Sequence, residues 1–418
     1  MSGQRKLLLD CMGVGKTAQS VVAFNSLGSK RTLILCPSSV RDGWVREIKR
    51  WSTRELKIQV INGMKDWLDE EAQVVIVSYN LLSSPMNYDQ LKAQRWPVMI
   101  LDEVHYLKNA KAKRTKLVFG RHGLISKAVY VWGLSGTLMP NRPIDLFTPF
   151  HAMAKDLLGK YDDWMKFTGR YCKRYKSPMG HWDVSGSTRI SELRERLFDT
   201  GFAIRRTKED VLHELPAKQV RINWLDFESS RKMHSSAAWQ AVSEGMDTKK
   251  TNLGLGGAEL AEVRKIVGLA KVKRVIEIAK DIIAVDGYVV VFCWHREVLE
   301  QIHEGLGGVT YHGGMNATRK SMALHEFQVG TAQAFVANYA SAGTGLDGLQ
   351  HRASSCVFAE LPWTYAELAQ TTDRLHRMGQ KNSVLVDLVV ADESTDTYVL
   401  DTIMSKEKDF KDLMLTRC

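Results

Sequence analysis

Cysteine is scarce. The six in 418 residues (Cys11, Cys36, Cys172, Cys293, Cys356 and Cys418) form no C-x-x-C pair and no Cys/His spacing of the zinc kind. That argues against a structural zinc site and reads as reduced thiols in an intracellular protein. No apolar run approaches the ~20 residues a membrane helix needs. The N-terminus lacks a charged-then-apolar signal segment, so no membrane partner is expected. Low-complexity tracts are missing too. What is present is the composition of a globular chain, 44% hydrophobic and 25% charged, long enough for two domains with a core each. The net charge of +11 and a pI near 9.2 favour a polyanionic partner, most commonly nucleic acid.

The most informative stretch is Asp10-Cys11-Met12-Gly13-Val14-Gly15-Lys16-Thr17, set between apolar Leu7 to Leu9 and a helix-like segment from Ala18 to Phe24. A strand, a Gly-rich turn and a helix start aim backbone N–H groups at one point, which suits a phosphate. Met12 to Thr17 are the candidate cradle. Lys16 is expected to reach the β- and γ-phosphates, and the Thr17 hydroxyl to ligand Mg2+. Asp10 stands where the strict pattern G-x-x-x-x-G-K-[ST] has its first Gly.

Further apolar runs end in polar turns. Leu33 to Cys36 leads into Pro37, Ser38 and Ser39; Val74 to Val77 into Ser78, Tyr79 and Asn80; Val98 to Leu101 into Asp102, Glu103, Val104 and His105; and Val129 to Trp132 into Gly133 to Thr137. Strands alternating with helical segments predict an open parallel sheet with sites at the strands' carboxyl ends. The serines at these ends either cap helices or grip a phosphate backbone. Two adjacent carboxylates ending an apolar strand need a compensating cation. Asp102 is expected to hold Mg2+, and Glu103 to polarise the attacking water.

In this order the motifs Asp-x-Met-Gly-x-Gly-Lys-Thr, Pro-Ser-Ser-Val, Asp-Glu-x-His with Leu-Lys-Asn, and Leu-Ser-Gly-Thr resemble the first lobe of superfamily 2 helicases of the Swi/Snf type. The resemblance continues through Ala203 to Leu212 and Glu214 to Lys218, a block that by residues alone reads as a basic helix ended by Pro216. Arg170 to Cys172 and Trp182 to Ser187 look most like the annealing helicases, which rewind DNA and remodel forks.

A second lobe opens with Tyr288 to His295 and continues through His312, Gly313 and Gly314, then Ala334 to Ala337. Gly343-Thr344-Gly345-Leu346-Asp347 resembles the family's fifth motif, which implies Asp347 at the ribose, Gly345 at the nucleotide and Gly343 at DNA. Gln370 to Gln380 carries Arg374 and Arg377, two arginines three apart on one helical face or at its frayed end. The family uses them as arginine fingers on the γ-phosphate, with Gln370 beside the nucleotide.

The resemblance implies an α/β fold of two RecA-like lobes, each a mostly parallel sheet flanked by helices. The expected division is residues 1–218 with a helical insertion at about 150–205, a linker at 219–260, and 261–418. The implied activity is ATP- and Mg2+-dependent translocation on double-stranded or branched DNA, without net strand separation. The alternatives are a strand-separating helicase and an ATP-gated DNA clamp with little turnover. DNA contacts are expected from Pro37, Ser38, Ser39, Ser78, Tyr79, His312, Gly313, Gly314 and Gly343, and from basic clusters at 108–116, 173–176 and 271–274.

Three departures stand out. No base-reading Gln fits upstream of Asp10, so either the natural start lies further upstream or adenine is read otherwise. Cys11 replaces the family's usual Glu, and Leu138 its usual Pro. With no chromatin-reading module, zinc insertion or nuclease motif in view, a bare monomeric motor is expected. Its targeting partner would be unknown, and its setting a bacterial or viral cytoplasm in preference to a nucleus.

Overall fold

Apolar runs buried on both faces become parallel strands here. The first sheet is built from β1 (Arg5–Leu8), β2 (Thr32–Cys36), β3 (Ile58–Ile61), β4 (Val74–Ser78), β5 (Trp96–Asp102) and β6 (Ala128–Leu134). After a separate antiparallel hairpin, β7 (Tyr175–Lys176) with β8 (Trp182–Asp183), comes its last strand β9 (Ala203–Ile204). The order is β3-β4-β2-β5-β6-β1-β9, and every pairing is parallel. Successive side chains alternate between faces. Leu33, Leu35, Val75, Val77, Met99 and Leu101 face one layer, and Ile34, Cys36, Ile76, Val98 and Ile100 the other.

Helices α1 (Lys16–Ser26) and α2 (Arg41–Trp51) cover the second face with Val21, Phe24, Trp44 and Ile48. Helices Ile144–Leu158, Trp164–Tyr171 and Ile190–Phe198 cover the first with Phe150, Phe167, Tyr171, Leu193 and Leu197. The segment expected as an insertion thus begins at Ile144 and forms one wall of the core.

The second sheet comprises β10 (Lys218–Leu225), β11 (Val289–Cys293), β12 (Val309–Tyr311), β13 (Ala334–Asn338), β14 (Ser355–Phe358) and β15 (Val384–Ala391). Its order is β10-β15-β14-β11-β13-β12, again all parallel. This computed structural model describes residues 4–28, 31–136, 142–177, 180–225, 257–342, 346–392 and 394–414. The chain divides into two units, one of residues 1–213 with 407–418 and the other of residues 214–406.

Strand β10 falls where a linker from 219 was expected. It pairs with β15 over eight residues, from Lys218 opposite Val384 to Leu225 opposite Ala391. Its residues are exposed on both faces up to Leu225: Val220, Ile222 and Trp224 lie on one, and from the other Arg221 and the half-buried Asn223 reach the fully buried Asp387 carboxylate at 2.9 and 2.8 Å. The rest of the expected linker, 226–256, lies outside the described residues, as do Thr137, Leu138, Gly343 and Gly345.

Candidate functional site

In the first unit the parallel strands end at one edge of their sheet, and that edge gathers most of the sequence-marked residues. After β1 the chain turns at Gly13 (φ 81°) and Gly15 (φ 91°), left-handed conformations that cost other L-residues roughly 1–2 kcal/mol. Gly15 caps α1, whose first turn carries no acid, leaving a helix N-terminus available to an anion. Lys16 Nζ donates to the loop's own carbonyls, Asp10 at 2.8 Å and Cys11 at 3.1 Å. Burial holds its pKa below the ordinary lysine range despite the nearby Glu103, Asp10 and Asp102 carboxylates. Gly136 packs so close to this loop that a Cβ there would sit 2.7 Å from Met12 Cγ.

Asp102 ends β5 beside the loop. Trp44 Nε1 donates to its Oδ2 at 2.8 Å, and the Glu103 backbone N–H to its Oδ1 at 3.0 Å. Burial first, then the adjacent Glu103, raises its pKa to about 6. Glu103 adopts a left-handed backbone (φ 48°), the kind of local strain that concentrates at functional sites. Its Oε2 lies 3.1 Å from His105 Nδ1 and 3.4 Å from Ser135 Oγ, and those two are 3.2 Å apart. The Lys16 ammonium, at the start of α1, therefore lies within electrostatic reach of both the Asp102 and the Glu103 carboxylate. Among the described residues no group of three or more His, Cys, Asp or Glu could bind an ion alone. Mg2+ held by Thr17 and Asp102 would thus rely on the nucleotide's own oxygens.

The expected DNA contacts divide. Ser38 and Ser39 are exposed on a 3-10 turn after β2, while Pro37 is buried. Ser78 and Tyr79 are each only 2% exposed, so their side chains are not available to a DNA backbone. The Tyr79 hydroxyl instead donates to the Asp102 carbonyl at 2.7 Å, and its ring stacks on Tyr106 at 5.8 Å. Tyr79 buttresses the carboxylate pair.

The basic clusters divide as well. Lys271 is fully buried and bonded to Asp396 at 2.6 Å, Arg274 faces Glu277 at 3.3 Å, and Lys108 pairs with Asp145 at 3.3 Å. Lys173 and Lys176 remain exposed. Tyr171 and Cys172 are core residues, and the exposed Trp182 holds the Arg174 guanidinium 4.5 Å from its ring centroid.

In the second unit, His312, Gly313 and Gly314 form a turn after β12 with both glycines exposed, and the Gly314 N–H donates to His312 Nδ1 at 3.2 Å. Burial, with Arg296, lowers the His312 pKa. Gln370 lies in the helix Tyr365–Thr372, whereas Arg374 and Arg377 lie in the turns past its end. Arg374 donates to the Leu346 carbonyl at 3.0 Å, and Arg377 pairs with Asp347 at 3.2 Å. Burial favours the neutral acid at Asp347, but Arg377 and Gln350 outweigh it and hold the carboxyl below the usual range.

Sequence reading missed the contact between the phosphate loop and the block at Ala203 to Arg206. That block is no basic helix. β9 pairs with β1, and only Lys208–Val211 is helical, opened by a Thr207/Asp210 capping box. Arg206 bonds the buried Asp10 carboxylate at 2.7 Å. The unexplained Asp in place of a loop glycine was the one available signal.

The SNF2-related domain family matches residues 2–280, and the helicase conserved C-terminal domain family residues 270–379. The chain therefore belongs to the SNF2-related family of helicase-like ATPases. It is similar to the SWI/SNF-related matrix-associated actin-dependent regulator of chromatin subfamily A-like protein 1 of Xenopus tropicalis, 33% identical over 97% of this chain and 42% of that protein. It is also similar to the DNA annealing helicase and endonuclease ZRANB3 of Homo sapiens, 29% identical over 94% of this chain and 37% of that one. The Sulfolobus solfataricus SWI2/SNF2 ATPase core in complex with dsDNA covers 100% of this chain, and this chain 94% of it, at 19% identity and a TM-score of 0.44.

The chain spans about two-fifths of the length of the curated relatives it matches. These relatives are animal proteins whose names speak of chromatin and DNA annealing. That overturns the expectation of a bacterial or viral cytoplasm over a nucleus. Missing chromatin-reading motifs in a chain of this span carry no information on compartment.

Proposed function

We propose that this chain is an ATP-driven motor on double-stranded DNA that remodels forks or branches without net strand separation. The observation that carries the reading is the convergence of the Gly13–Gly15 turn, Lys16 and the Asp102–Glu103 pair at one sheet edge. Met12 to Thr17 cradle the phosphates of ATP, Thr17 and Asp102 hold Mg2+, and Glu103 orients and deprotonates the attacking water. Mg2+ supplies charge neutralisation on the phosphates when bound. Arg374 and Arg377 add positive charge to the transition state, with Gly345, Asp347 and Gln370 at the nucleotide.

Exposed Ser38 and Ser39, the His312–Gly314 turn and Gly343 hold the DNA backbone through contacts that carry no base sequence. The similarity to a protein named a DNA annealing helicase supports the fork-remodelling use. We assign lobes of 1–213 with 407–418 and of 214–406 and a monomeric working state, targeted by DNA structure or a further partner.

The test is steady-state ATP hydrolysis at one low salt with no nucleic acid, single strands, blunt duplex, forked duplex and RNA. Duplex or forked DNA should stimulate turnover well above single strands. Flat turnover on all five, with ATP-dependent DNA binding intact, would instead identify a clamp.

A further inference from the structure

Asp10 occupies the position of a phosphate-loop glycine, yet its carboxylate is fully buried beside a triphosphate site. Left alone it would repel the nucleotide and compete for Lys16, whose ammonium it already attracts. Arg206 answers that charge with an unusual set of bonds. Its backbone N–H and Nε donate to Asp10 Oδ1 at 2.8 and 3.3 Å, and its terminal nitrogen to Oδ2 at 2.7 Å. The same nitrogen donates to Gln19 Oε1. Gln19, on the first turn of α1, donates in turn to Asp10 Oδ2 at 3.0 Å and to the Val14 carbonyl at 3.2 Å. One guanidinium therefore ties the start of the loop to the helix that follows it, with the loop's middle held through Gln19.

The backbone joins the same clamp. Leu9 N–H donates to the Ile204 carbonyl at 2.7 Å and Cys11 N–H to the Arg206 carbonyl at 2.9 Å, while the Arg205 guanidinium reaches the Leu9 carbonyl at 2.8 Å. The pairing of β1 with β9 thus runs on into the loop. Arg206 is followed directly by the capped helix Lys208–Val211 and then by the end of the first unit at His213.

We infer that Arg206 is a positioning residue for ATP hydrolysis. Acting through Asp10 and Gln19, it sets the shape of the phosphate loop, cancels the charge that would bind Lys16, and transmits to the loop any displacement of the chain leaving the first unit. The inference rests on the ATPase reading above and adds a residue that need not touch the nucleotide.

The experiment uses the whole chain and compares Arg206→Ala, Arg206→Lys, Asp10→Asn and the double variant Arg206→Ala/Asp10→Asn. It measures binding of a fluorescent ATP analogue with Mg2+, kcat and KM for ATP with duplex DNA, and melting temperature. Arg206→Ala should weaken nucleotide binding on the order of tenfold, because it leaves a buried carboxylate uncompensated. Adding Asp10→Asn should restore most of that affinity, which a merely structural loss would not do. Arg206→Lys keeps the charge but cannot bridge both carboxylate oxygens and Gln19, so it should retain affinity while lowering kcat.

Wild-type nucleotide binding and kcat in Arg206→Ala would overturn the inference, as would a double variant no better than the single. Should Arg206→Ala fail to fold, wild-type kcat in Arg206→Lys would overturn it equally. A wild-type chain that neither binds nor hydrolyses ATP would instead sink the ATPase reading, an outcome visible before any variant is made.

Discussion

Asp102 carries the clearest pH signature at the scale of single residues. Its carboxyl is raised from the ordinary 3.8 to about 6, by burial first and Glu103 second. Below the ordinary value both folded and unfolded chains are protonated there. Between that value and about 6 only the unfolded chain ionises, so stability falls as pH rises through this window and the loss is complete above it. Asp102→Asn removes the cost, so its melting temperature relative to wild type should climb from pH 4 to pH 7; a constant difference would refute the raised pKa. Mg2+-ATP affinity should weaken below about pH 6, as Asp102 takes up its proton. Glu103→Gln should bind ATP and DNA nearly as wild type yet lose roughly a hundredfold or more in kcat, and retained turnover would remove Glu103 as the base.

Elements bring the backbone into play. At Gly15 a Cβ would meet nothing within 4 Å, so the glycine is required by its φ of 91° and not by crowding. Gly15→Ala should therefore cost about 1–2 kcal/mol of strain, read as a lower melting temperature together with weaker ATP binding. An unchanged melting temperature would mean that the turn relaxes. In the helix Gly257–Asp286, Lys271 is sealed against the Asp396 carboxylate and the Val389 carbonyl. Lys271→Ala should destabilise by about 3 kcal/mol or more, since it leaves a buried acid unpaired; denaturant melts measure it.

Elements are also where legibility changes. Strands such as Thr32–Cys36, Val74–Ser78 and Val289–Cys293 were readable because burial on both faces writes an unbroken apolar run. β10 was not, because it is exposed along most of its length and its Arg221 and Asn223 are held by an Asp387 that lies 166 residues from Arg221. The same distance problem hid the Asp10–Arg206 pair, 196 residues apart, and made Lys271 look like a surface lysine. Local patterns announced the Gly13–Gly15 turn before α1 and the acidic pair at the end of β5. Ser78 and Tyr79 misled because composition marks a strand end without saying what covers it.

At the scale of the whole molecule the governing quantity is charge. Contacts limited to phosphates release counterions, so duplex affinity should fall linearly in log–log form with salt, by a slope of about 0.9 per phosphate neutralised. Lys173→Ala/Lys176→Ala should flatten that slope if their exposed ammonium groups touch the backbone; an identical slope would exclude them.

Strand β10 is where the covalent connection from the first unit enters the second sheet. The chain leaving the first unit at His213 enters the second sheet at Lys218, and there it is laid parallel to β15 over eight residues in unbroken register. Tension along such a strand loads its slanted bonds together in shear, where a hairpin would peel one bond at a time. A pull on this connection should therefore reach the second sheet as an undivided force, with the buried Asp387 acting as a rivet through Arg221 and Asn223.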